Sequence, residues 1–224
     1  LVGVDHLGAA LEDELQLTWI DAREQAEAAW PTQVQAVRAQ VADYRNLVDP
    51  ESVLRAVWEE GRMQLWSEVA PVPGFPVCSR SSLAEGGSLV VWTAPPSPAV
   101  WREALKRARP ERVYLFARDP GLDKVDPFLS RLAALVKYAI TSRNGEVELE
   151  TLCGAMAHEL RAVRAGLRWL EASGRIRVVT ETPDQVQLAA GGEPNPPAEA
   201  LALQQLRDSL QETEAYRRYF RSAD

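Results

Sequence analysis

The amino-acid sequence predicts an α/β chain: a Rossmann-like parallel-sheet domain, then a winged-helix-like α+β domain, then a C-terminal helix. Three observations carry this reading. Short, continuously apolar runs alternate with helical patterns through residues 15–121, as expected when helices cover both faces of a parallel sheet. After Asp119-Pro120-Gly121 the order becomes helix, short strand, two helices and a hairpin. A Gly/Pro-rich linker, Gly191–Pro197, then precedes one last helical pattern.

The apolar runs are Leu17–Asp21, Met63–Ser67, Leu89–Thr93 and Val113–Ala117. Between them, Ala22–Tyr44 spaces Val34, Val37 and Val41 for one helical face, and Glu51–Glu60 does so with Val53, Leu54, Val57 and Trp58. Pro98–Arg109 places Trp101, Leu105 and Ala108 at i, i+4 and i+7. Pro71–Pro76 and Gly86-Gly87 mark loops.

In the second part, Pro127–Thr141 is a helix burying Leu129, Leu132, Ala133, Val136 and Ile140, and Asn144-Gly145 is a turn before the extended Val147–Leu149. Leu149–Ala157 and Glu159–Ala172 are helices, the second closed by Gly174. Arg175–Thr180 and Gln185–Ala189 alternate around Pro183-Asp184 as a hairpin, and Ala198–Phe220 is the last helix. The implied division is residues 1–14 as the end of a preceding domain or a linker, 15–121 and 122–192 as the two domains, and 193–224 as linker and helix. A start at Leu1 with no basic-apolar leader reads as an excised or processed piece.

The 224 residues are 46% hydrophobic and 25% charged, a globular composition, and no run is long and apolar enough for a membrane span. Two cysteines, Cys78 and Cys153, make no disulfide framework and suit a reducing cytoplasm. The net charge of −7 argues against coating nucleic acid by bulk charge. It is unevenly spread: residues 1–60 hold 4 basic and 12 acidic side chains, whereas residues 100–118 hold 6 basic and 2 acidic.

Enzyme chemistry is hard to assemble. The two histidines, His6 and His158, are far apart in sequence, and the spacing of Cys153 and His158 matches no zinc pattern. Ser79, Ser81 and Ser82 have neither a Gly-x-Ser-x-Gly elbow nor a nearby histidine. Neither Gly-x-Gly-x-x-Gly nor a Gly-Lys-Ser/Thr loop follows a strand, so no backbone cradle for a pyrophosphate is expected. No cofactor is assigned to the chain.

Binding is easier to assemble. Arg102, Lys106 and Arg109 share a second stripe of the Pro98–Arg109 helix, and Arg112 and Arg118 bracket the next strand. They are either a solvated face balancing the acidic N-terminal part or a docking surface for an acidic peptide or phosphate groups, with Trp92 or Trp101 as apolar floor. Arg161, Arg164 and Arg168 lie on the outer face of the Glu159–Ala172 helix, where they could meet a DNA groove. The segment around them carries 6 basic against 7 acidic residues, which is poor for a polyanion.

The run Leu89-Val90-Val91-Trp92-Thr93-Ala94-Pro95-Pro96, then Trp101 and Arg112-Val113-Tyr114-Leu115-Phe116, resembles the C-terminal region of bacterial RecJ proteins. Leu129–Tyr138, Val163–Leu170 and the closing Glu212–Phe220 are similar to that region too, so the resemblance covers most of residues 15–224. RecJ proteins are 5′→3′ single-strand DNA exonucleases of the DHH phosphoesterase superfamily, acting in DNA repair and recombination. Their chemistry uses clustered Asp and His ligands for Mn or Mg ions. This chain has no Asp-His-His motif, so the resemblance implies a non-catalytic accessory region rather than the nuclease core. The partners it implies are the nuclease core of the same parent chain and single-stranded-DNA-binding protein, whose acidic tail would suit a basic groove; contact with single-stranded DNA, or a DNA-contacting winged-helix module, is the alternative.

Overall fold

A computed structural model describes residues 39–59, 61–69 and 71–222, which fall in one compact unit, Arg38–Asp224. The sequence boundary near residues 119–127 lies inside that unit. The fold is mixed α/β with a five-stranded parallel sheet. Its strands are β1 (Gln40–Asp43), β2 (Met63–Trp66), β3 (Val77–Cys78), β4 (Ser88–Thr93) and β5 (Arg112–Arg118), in the order β1-β5-β4-β2-β3.

Residue alternation gives each sheet face its own core. Met63, Leu65, Val90, Tyr114 and Phe116 pack with Leu54 of helix α1 (Pro50–Val57) on one face. Trp66, Leu89, Val91 and Val113 pack with Ala104 and Ala108 of helix α2 (Pro98–Ala108) on the other. The Met63, Leu89 and Val113 strands form where the apolar runs place them. The Leu17–Asp21 strand and most of the Ala22–Tyr44 helix lie outside the described residues. The end of that helix is corrected: Gln40–Asp43 is a strand, because its backbone pairs in register with Arg112–Leu115. Helical spacing in one window carries no information about a partner some seventy residues away. The two-residue β3 and the short 3₁₀ turn Arg80–Ser82 were also not expected.

Next come α3 (Val125–Ser142), β6 (Glu146–Glu148), α4 (Leu149–Met156), α5 (Leu160–Ala172), β7 (Ile176–Glu181) and β8 (Gln185–Ala190). The last three strands form an antiparallel sheet in the order β6-β8-β7. This is the element order that the sequence implies. Gly145 is required in the turn before β6: its φ is +79°, and a Cβ there would lie 1.9 Å from the Leu188 carbonyl oxygen. Phe128, Leu132, Val136, Leu152, Met156, Val163, Leu167 and Leu170 fill this core.

Helix α6 (Pro196–Ser222) starts inside the expected linker. Proline tolerates the first helical turn, and the Asn195 side chain accepts from the Ala198 N–H at 3.2 Å. α6 runs antiparallel to α5, since the Asn195 N–H reaches the Ala172 carbonyl while Glu212 meets Arg161 near the start of α5. Among the described residues no helix is long and apolar enough to cross a membrane.

Candidate functional site

Helix α2 is set by its ends. The Ser97 hydroxyl accepts from the Val100 N–H, Pro98 opens the first turn, and Arg109 closes it in the left-handed region at φ 38°. Trp101 stacks on Trp66 with ring centroids 6.4 Å apart and an 8° interplanar angle. It also meets the Phe220 ring of α6 edge-on at 5.4 Å. Tyr216, one turn earlier, tilts against Phe220 at 5.8 Å. Burial pushes the Tyr216 hydroxyl pKa up to about 12, against the nearby Arg102 charge. Arg45 donates to the Phe220 carbonyl at 2.5 Å and also bonds Asp43. The end of α6 therefore adds an aromatic wall beside the basic helix.

The structure brings some sequence-derived residues together and separates others. Arg102 and Lys106 are exposed on the outer face of α2, and neither meets a carboxylate among the described residues. Among the described residues the Arg102 guanidinium donates to the Pro98 carbonyl of its own helix, at 3.3 Å. Arg109 has left the helix and pairs with Glu85 at 2.9 Å. Arg112, at the amino end of β5, donates to Gln40 at 3.0 Å and to the Tyr114 hydroxyl at 3.2 Å. Arg118 is exposed at the opposite end of that strand, in register with Thr93. Trp92 sits on the other sheet face against Phe116, with centroids 5.2 Å apart. Of the stripe, Arg102 and Lys106 stay together on the helix that carries Trp101. Tyr216 and Phe220 were missed because their i, i+4 spacing in the last helix reads as ordinary packing.

Ligands of open α/β sheets commonly lie beyond the carboxyl ends of the strands. Here the chain's own side chains fill that position. Glu68, 5% exposed after β2, accepts from the Trp66 indole at 3.0 Å and from Arg80 at 2.6 and 2.5 Å. Arg217 of α6, 1% exposed, donates to the Ala94 carbonyl at 3.1 Å, to Asp123 and to the Ala157 carbonyl. Arg131 of α3 donates to the Ala155 and Val69 carbonyls at 2.8 and 3.0 Å. Together these bonds tie the parallel sheet to the helices that follow it.

His158, fully buried, meets the Leu122 carbonyl at 3.1 Å through Nε2, while its Nδ1 has no hydrogen-bond partner among the described residues. Burial pulls its pKa below the ordinary value, outweighing the hydrogen bond to Asp123. Burial pushes the Asp123 carboxyl the other way, but His158 and Arg217 hold it below the usual carboxylate range.

Two of the three arginines of α5 are engaged. Arg161 bonds Glu212 of α6, and Arg164 lies 3.2 Å from Glu181 of β7 and donates to the Pro183 carbonyl at 3.3 Å. Arg168 is exposed at the lip of the α5–α6 crevice. Small residues allow the close contact: Ala162, Ala165 and Ala172 are buried on α5, as are Ala202, Ser209 and Thr213 on α6. On another side of α5, Gly166 lets Phe128 and Leu132 of α3 approach, since a Cβ there would come within 2.8 and 2.5 Å of them.

Among the described residues no three His, Cys, Asp or Glu side chains converge in a group able to hold a metal ion. Burial pushes both cysteine thiols, Cys78 and Cys153, up to about 11, which leaves them protonated and poorly nucleophilic. No family model, curated protein or solved structure matches the chain.

Proposed function

We propose that the chain is a non-catalytic docking region of a RecJ-like single-strand DNA exonuclease, acting in DNA repair and recombination in the cytoplasm. In this reading the parallel sheet is a Rossmann-like scaffold and the helices with the antiparallel sheet are winged-helix-like. The parent nuclease core would hold Mn or Mg, and this region would bind the acidic tail of single-stranded-DNA-binding protein. The supporting observation is that Arg102, whose charge reaches Tyr216, and Lys106 are exposed and meet no carboxylate among the described residues, on the helix whose Trp101 packs against Phe220.

Each exposed ion pair with the tail contributes about 0.2–1 kcal/mol, so the cations set orientation and association rate more than strength. Each apolar residue of the tail seated on the aromatic wall adds about 1.5–3 kcal/mol, so a roughly micromolar affinity, about −8 kcal/mol in total, takes more than one of them. The alternative, DNA contact through Arg161, Arg164 and Arg168, is less favoured because α6 lies along α5 and two of those arginines already meet Glu212 and Glu181. Calorimetry with an acidic tail peptide tests the reading. Binding should weaken at least about tenfold in the Arg102→Glu/Lys106→Glu double variant, and rising salt should weaken the wild-type interaction. Equal affinity in the folded variant would remove this face from consideration.

A further inference from the structure

A second surface carries the opposite charge. A groove of about 550 Å³ opens between the Arg80–Ser82 turn, α2, the starts of α4 and α5, and the β7–β8 turn. Its floor is apolar, with Leu149 and Cys153 buried and Val100 and Leu160 half-buried, and the exposed Pro183 stands at its edge. Its rim holds four carboxylates: Glu148, Glu150, Glu159 and Asp184. The two arginines that also line it are committed elsewhere, Arg80 to the buried Glu68 and Arg161 to Glu212.

The rim is only weakly neutralised. Glu148 and Glu159 accept from the hydroxyls of Thr151 and Ser97; the charges of Arg80 and Arg161 also reach Glu159, whereas no cation pairs with Glu148 among the described residues. Glu150 has Arg107 at 3.6 Å, and the Asp184 carboxylate has no partner among the described residues. Carboxylates ringing an apolar floor repel nucleic acid and acidic peptides and attract a cationic segment that carries an apolar residue.

We propose that this groove docks a basic, apolar segment of a partner protein, with lysine or arginine side chains on the rim and an aliphatic side chain on the floor. The site is separate from the α2 basic face and selects the opposite charge.

Fluorescence anisotropy on the full chain tests it, using a labelled peptide of leucine and lysine at helical spacing and a twin with glutamate in place of lysine. Glu150→Lys/Asp184→Lys should weaken the lysine peptide at least about tenfold, while Glu51→Lys/Glu193→Lys, an equal charge change elsewhere on the surface, should not. Val100→Lys should weaken it as well, with circular dichroism reporting an intact fold. Failure of the lysine peptide to saturate would overturn the proposal. So would equal binding of the glutamate twin, or equal weakening by the control pair.

Discussion

Replacing Arg217 by alanine removes the clamp that holds the end of α6 at the carboxyl edge of the sheet. The guanidinium is 1% exposed, and its three partners are Asp123 and the Ala94 and Ala157 carbonyls. Its loss leaves a carboxylate with 9% side-chain exposure facing a neutral histidine. Removing one member of a buried pair costs about 3–5 kcal/mol, and each stranded carbonyl adds about 1–3 kcal/mol less what entering water recovers. A net loss of about 4 kcal/mol follows. With a urea slope of roughly 2–3 kcal/mol per molar, the unfolding midpoint should fall by about 1.3–2 M. Asp123→Ala should cost much less in the Arg217→Ala background than in the wild type, because the stranded charge is then gone. A midpoint drop under about 0.4 M, or additive costs in that cycle, would refute the clamp.

Three further outcomes are expected. Gly166→Ala should lower the melting temperature by several degrees in scanning fluorimetry: overpacking against Leu132 and Phe128 costs about 1–3 kcal/mol, more than the helix-propensity gain of up to about 1 kcal/mol. Cys78 and Cys153, with thiols near 11, should resist iodoacetamide at about pH 8 in the folded chain and react in urea, as read by intact mass. Stability should fall on acidification. His158 and Asp123 both titrate lower in the folded state than in the unfolded one, so the unfolded chain takes up protons first. The His158 contribution is intact above its ordinary pKa of about 6.5 and is lost as pH falls from there through its folded value. That of Asp123 goes only below its ordinary pKa of about 3.9. His158→Asn should flatten the urea-midpoint slope between about pH 5 and 7; an unchanged slope would assign it to other groups.

Much of the secondary structure was legible in the chain because its signals are local. Apolar continuity marked β2, β4 and β5, and apolar spacing marked α2, α3 and α5. The Asn144-Gly145 turn followed from residues that tolerate positive φ, here 51° and 79°. β1 was misread because pairing with a distant strand overrides helical spacing, and β3 is too short to leave a pattern.

The candidate docking surface was half legible for the same reason. Helical geometry put Arg102 and Lys106 on one face, which requires only spacing within α2. It also put Arg109 there, but the left-handed cap takes that residue out of the helix and toward Glu85. Trp92 and Trp101 both read as possible floor. Strand alternation sends Trp92 to one sheet face, while the α2 crossover puts Trp101 on the other.

The sequence by itself determined the α/β class, the element order of the second part and the unequal distribution of charge, because these depend on composition and short-range periodicity. Tertiary structure alone decided that α6 folds back along α5, that Tyr216 and Phe220 wall the basic helix, and that Arg217 fills the carboxyl end of the sheet. These contacts join groups from some twenty to more than a hundred residues apart. Such contacts are selected by shape and by the cost of leaving buried polar groups unpaired, and neither is written in a local window.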